Sequence, residues 1–207
     1  LANMFASHPG WPERQQGGLF MNKTKTIVGI GLFTAIVVVL QFLGGGIRFG
    51  IFSISLVLVP IVVGAAIYGW QAGAWLGFAF GMTVLLSGDA NAFMVVDPLA
   101  TVLVVLVKGT LCGLIAGLMY KLLQRCNKVV AVMASGIACP VVNTGVFLLG
   151  CQFFFLPTIR EWAAMYGYDN AGTYMILGLA GINFLIELAT NIVLAPVITQ
   201  LIRQGKR

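Results

Sequence analysis

Six apolar stretches, each near the length a helix needs to cross a lipid bilayer, decide what this sequence can become. They run Ile27–Leu43, Phe52–Tyr68, Ala72–Leu86, Leu99–Leu123, Val129–Phe155 and Tyr174–Ile202. A hydrocarbon core about 30 Å thick takes roughly 20 helical residues to span. A backbone inside lipid must satisfy its own hydrogen bonds, and these stretches lack the alternation of barrel strands, so helices are expected. Composition agrees. Only 9% of residues are charged and 59% are hydrophobic, whereas a soluble domain carries about a quarter charged residues. The sequence predicts an all-α integral membrane protein, a bundle of six transmembrane helices forming one domain over residues 21–207. The first three stretches are short, and the last three are long enough to tilt or to project from the bilayer. Gly69-Trp70-Gln71 leaves only a tight turn between the second and third.

Basic residues in short loops collect on the cytoplasmic side. The termini and even-numbered loops hold Lys23, Lys25, Lys121, Arg125, Lys128, Arg203, Lys206 and Arg207, while the odd-numbered loops hold only Arg48 and Arg160. This asymmetry predicts both termini in the cytoplasm. Asp89, Asp97, Glu161 and Asp169 fall on the outside. The net charge of +6 therefore orients the chain and does not signal a nucleic-acid partner. Cys112, Cys126, Cys139 and Cys151 are scattered singly and His8 is the lone histidine, so no metal site or cofactor is expected.

Residues 1–20 are polar, begin with Leu1 and contain no apolar run, unlike a signal peptide. Gln16-Gly17-Gly18 can be encoded as CAA GGA GGT, a ribosome-binding sequence, shortly before Met21. Residues 1–20 are therefore expected to be a non-native or disordered leader, with Met21 as the start.

The external connections are long and rich in Gly, Asn, Asp and aromatic residues, a composition suited to binding surfaces and lids. Lys108 and Glu187 lie deep within the fourth and sixth stretches. Ionisable groups at such depth face a bundle interior or a cavity. Asn183, Glu187 and Asn191 share a helical face at intervals of four, and Asn143 adds an amide in the fifth stretch. Counted from the outer end at about 1.5 Å per residue, Lys108, Asn143, Asn183 and Glu187 lie roughly 14, 18, 14 and 20 Å deep. Asn191 is deeper. Two arrangements fit. Lys108 and Glu187 form a structural ion pair, or the layer floors a solute pocket with Lys108 receiving an anionic or carbonyl group. Arg48 and Asp89, in the external loops, join Lys108, Asn143, Asn183 and Glu187 as candidate solute contacts. Gly31 and Ala35, four apart in the first stretch, form a small-residue face that permits close helix approach.

The chain has no G-x-x-x-x-G-K-[ST] phosphate loop and no hydrolase motif, so it is not expected to be an enzyme. A small binder energised by a partner fits better than a self-sufficient pump. A stand-alone secondary transporter or channel, and a structural membrane protein with no solute, are the alternatives. From Met21 onward the pattern resembles the substrate-binding S components of energy-coupling factor (ECF) vitamin transporters. The resemblance rests on the six segments, on Gly31 and Ala35, on Val107-Lys108-Gly109, and on Pro140-Val-Val-Asn143-Thr144-Gly145. The family's usual motif has alanine at both small positions, and Gly31 departs from it. The resemblance implies a coupling transmembrane subunit meeting Gly31 and Ala35, two cytoplasmic ATPase subunits, and a water-soluble vitamin of pantothenate or riboflavin type held near the outer face. Lys108 favours a carboxylate-bearing solute such as pantothenate.

Overall fold

Gly69 sets the first tight corner of the structure. Its φ of 95° lies where L side chains are strained, and it alone separates helix α2 (Leu58–Tyr68) from α3 (Trp70–Ser87). The abrupt turn expected from Gly69-Trp70-Gln71 is thus made by one residue. In this computed structural model the backbone is described for residues 13–44, 48–49, 52–53 and 56–205, and side chains for 23–44, 56–181 and 183–200.

Helix α1 spans Glu13–Gly44 and leads into a two-stranded ribbon, β1 (Arg48–Phe49) and β2 (Phe52–Ser53), paired antiparallel with Phe49 opposite Phe52. After α2 and α3 come α4 (Asn91–Met94), α5 (Pro98–Leu123) and α6 (Lys128–Phe154). Next are α7 (Leu156–Met165), α8 (Ala171–Thr173), a π-helical segment π1 (Tyr174–Gly181), α9 (Ile182–Val193) and α10 (Ala195–Gly205). Side-chain caps fix the long helices in place. Asp97 accepts from the Ala100 N–H at 3.0 Å, with Pro98 in the first position where no N–H is needed. Asn127 accepts from the Val129 N–H at 2.8 Å at the start of α6.

Among the described residues three helices, Lys23–Gly44 within α1, α5 and α6, are long and apolar enough to cross a membrane, and a fourth crossing arises if the bent last pair counts as one. Two expected segments differ from the structure. The second does not run as a helix from Phe52, because Phe52–Ser53 belong to the ribbon and α2 begins at Leu58. Pro60 sits in the first turn of α2, where its missing N–H has no helical partner to lose. At about 16 Å, α2 is shorter than the hydrocarbon core.

The sixth segment is also not one helix. π1 meets α9 at a bend of about 40°, and a second break follows Val193. Gly178 admits the Tyr174 ring, since a Cβ there would lie 2.5 Å from it. Pro196 cannot donate to the Ile192 carbonyl, so the ladder is interrupted, while Leu194 still donates to Thr190 at 3.0 Å. Much of the external connection between the fifth and sixth stretches folds into α7, which buries Ile159 and Ala163 four residues apart. Of the expected leader, residues 1–12 lie outside the described residues, and the backbone of α1 runs through 13–20.

The core is organised by a seam between α3 and α5. Gly73, Gly77 and Gly81 on α3 face Gly113, Gly109 and Val105 on α5, antiparallel and in register. A Cβ on Gly77 would lie 2.0 Å from the Gly109 carbonyl oxygen, and one on Gly113 2.0 Å from that of Gly73. The two backbones touch directly, the close approach that small residues permit inside lipid. Phe93, Phe155, Ile159 and Tyr174 build a second buried cluster beside this frame.

Candidate functional site

Lys108 precedes Gly109 of the seam by one residue, about 100° round the helix, so the contact that brings α3 and α5 together turns Lys108 into the bundle. There it lines a cavity of about 620 Å³, open mouth included. Asp89, Asn143, Asn183 and Glu187 line the same cavity. Of the expected contacts, Arg48 stands apart: its backbone is in β1, and its side chain lies outside the described residues.

Glu187 and Asn143 are buried, at 1% and 5% exposure, in positions that soluble cores rarely give such groups. Asn183 donates its Nδ2–H to Glu187 Oε1 at 3.2 Å, and Asn191 donates to the Glu187 backbone carbonyl at 2.9 Å. Asn191 does not line the cavity. It packs against α6, where a Cβ on Gly136 would lie 3.5 Å from its own. Glu187 Oε2, Asn183 Oδ1 and Asn143 Oδ1 in the cavity, and Asn191 Oδ1 outside it, are buried without a hydrogen-bond partner. Lys108 makes no ion pair with Glu187. Its ammonium instead lies over two rings, 5.4 Å from the centroid of Phe147 and 5.8 Å from that of Phe80, a favourable contact with the π faces.

The remaining walls escape a search for polar residues. Phe93 sits edge-on to Phe147, Phe155 and Trp162, at centroid distances of 5.6, 5.0 and 5.3 Å. Three elements, α4, α6 and α7, thus meet at one aromatic corner of the cavity. Gln41 of α1 donates to Asp89 near the mouth. Neither Gln41 nor the phenylalanines carry a motif. The signal that could have found them is a buried amide in an otherwise lipid-facing helix, and aromatic residues in step with Lys108 and Asn143.

Gly31 and Ala35 are exposed and lie away from the cavity. A Cβ on Gly31 would meet nothing within 4 Å. Gly31 floors a shallow groove between α1 and α3, with Ile30, Ala72 and Trp75 on its sides.

Residues 25–199 match the family described as "ECF transporter, substrate-specific component". The chain belongs to that family. It is accordingly a multi-pass protein of the cell membrane and a substrate-binding transport subunit, the class to which the earlier resemblance pointed. A solved structure titled "Native-SAD phasing for ThiT from Listeria monocytogenes serovar" is similar over 88% of this chain and 96% of that one, with a TM-score of 0.63 and 19% identity. At that identity the likeness shows a shared fold. No curated protein matches.

Proposed function

We propose that this S component captures a small water-soluble vitamin or related nutrient, of pantothenate or riboflavin type, from outside the cell. It passes the solute inward in complex with a coupling transmembrane subunit and two cytoplasmic ATPases. The observation that carries the reading is the convergence of Asp89, Lys108, Asn143, Asn183 and Glu187 on one cavity, in which Asn143 Oδ1, Asn183 Oδ1 and Glu187 Oε2 are buried without a hydrogen-bond partner. A purely structural polar layer would be hydrogen-bonded to itself. Six crossings with both termini cytoplasmic complete the reading, supported by the basic residues of the termini and even-numbered loops.

The open face of Gly31 and Ala35 supports a partner surface. The parent chain is expected to co-purify with a coupling subunit and two ATPases, and Gly31→Leu is expected to abolish that recovery and cellular uptake. Because nothing lies within 4 Å of a Cβ at Gly31, solute binding by the isolated variant should be unchanged. Retained complex and uptake in Gly31→Leu would remove this face from the assembly.

The orientation is tested separately. Single cysteines at positions 25, 125 and 206, in a chain lacking the native four, should resist an impermeant thiol reagent applied outside. Those at 89 and 169 should react. External labelling at 125 would invert the assignment.

A further inference from the structure

The floor of the cavity holds buried acceptor oxygens that find no donor within the protein, and those oxygens constrain the solute. Glu187 Oε2 and Asn183 Oδ1 are buried and unpartnered. Their identity as acceptors does not depend on how the amide was assigned. With Glu187 ionised, both of its oxygens only accept, so Asn183 turns its Nδ2 toward Glu187 Oε1, which leaves Oδ1 free. Asn143 adds a third unpartnered oxygen. Against these stands one strong donor, Lys108, which has ring faces but no acceptor among the described residues.

Each class of solute meets this set differently. A carboxylate would satisfy Lys108 while setting its lone pairs against those of Glu187 and two amide oxygens. A cation would satisfy the acceptors while facing the ammonium. A neutral amide-type edge does both, because its carbonyl accepts from Lys108 and its N–H donates to Glu187 or an asparagine. The charges on the floor then remain balanced, Lys108 against Glu187. Buried polar groups left without partners weaken binding strongly, so an edge that supplies both an acceptor and a donor is preferred.

We infer that the solute meets the floor with a neutral amide-type edge (a lactam, ureide, imide or carboxamide) and not with a carboxylate. This rests on the solute-binding reading above and decides between its two types. The aromatic corner of Phe93 and Phe147 suits a planar ring system carrying that edge.

The test is calorimetric titration of the purified chain with five probes: riboflavin, nicotinamide, nicotinate, pantothenate and thiamine. The expected result is that the tightest binder is riboflavin or nicotinamide, with nicotinamide at least tenfold ahead of nicotinate. For that binder, Lys108→Met should weaken binding by about tenfold to a hundredfold and Glu187→Gln by about tenfold or more. For a carboxylate solute the Glu187 variant has the opposite sign, since removing a negative charge strengthens binding. Pantothenate, nicotinate or thiamine as the tightest binder, or stronger binding by the Glu187→Gln variant, overturns the inference and leaves the solute-binding reading standing. Failure of all five probes to bind overturns both.

Discussion

Gly77→Val is expected to lower the melting temperature of the detergent-solubilised protein by about 10 °C. The Cβ it introduces would stand 2.0 Å from the Gly109 carbonyl oxygen, which belongs to backbone and cannot rotate away. Relief requires α3 and α5 to separate by roughly 1 Å, which removes van der Waals contact along the whole seam. Overpacking of this kind costs typically 1–3 kcal/mol and occasionally more, and a chain of this size shifts by roughly 2–4 °C per kcal/mol. Gly113→Val should behave alike, because it addresses the same seam from the other helix through the Gly73 carbonyl. Gly31→Val is the control, with nothing within 4 Å of its Cβ. Equal melting temperatures for Gly77→Val and Gly31→Val would show that the helices are not packed backbone to backbone.

The second large effect concerns affinity. Lys108→Met keeps most of the side-chain length and removes the ammonium, so solute binding should weaken by about tenfold to a hundredfold, the worth of a hydrogen bond to a charged group. Glu187→Gln added to it completes a cycle. If Lys108 served only to balance Glu187, the double variant would regain the affinity of the parent. Glu187 Oε2 has no partner and Lys108 rests on Phe80 and Phe147, so affinity in the double variant should stay low while stability recovers in part. Full recovery of affinity would remove Lys108 from the list of solute contacts.

Which parts of this were legible in the sequence follows from what each feature depends on. Lys108, Asn143, Asn183 and Glu187 could be placed in one layer by depth alone, because helical rise is nearly constant and a polar group in lipid must face inward. The helices α5 and α6 matched their apolar stretches within a residue at either end, since Asp97-Pro98 and Asn127 cap them sharply. The last segment was read as continuous because hydropathy is blind to backbone hydrogen bonding. The π turn at Tyr174–Gly181 and the break before Pro196 change the ladder without changing polarity. The ribbon at Phe49 and Phe52 escaped for a related reason: two residues per strand are too few to set up a period. Phe93 was invisible as a wall of the site because its role comes from three rings on other elements.

The α3–α5 seam also bears on how a chain of this design can acquire a different specificity. Every fourth residue of α5 between Gly109 and Gly117 is committed to touching α3 or the turn before it, where even one methyl group finds no room. Position 108 is adjacent in sequence but turned away from that commitment. Its side chain can be exchanged for an amide, a hydroxyl or a ring without disturbing the contact that fixes its direction. On the proposed function, with Lys108 meeting the solute, the scaffold separates inheritance of shape from choice of cargo within a single pair of neighbouring residues, Lys108 and Gly109.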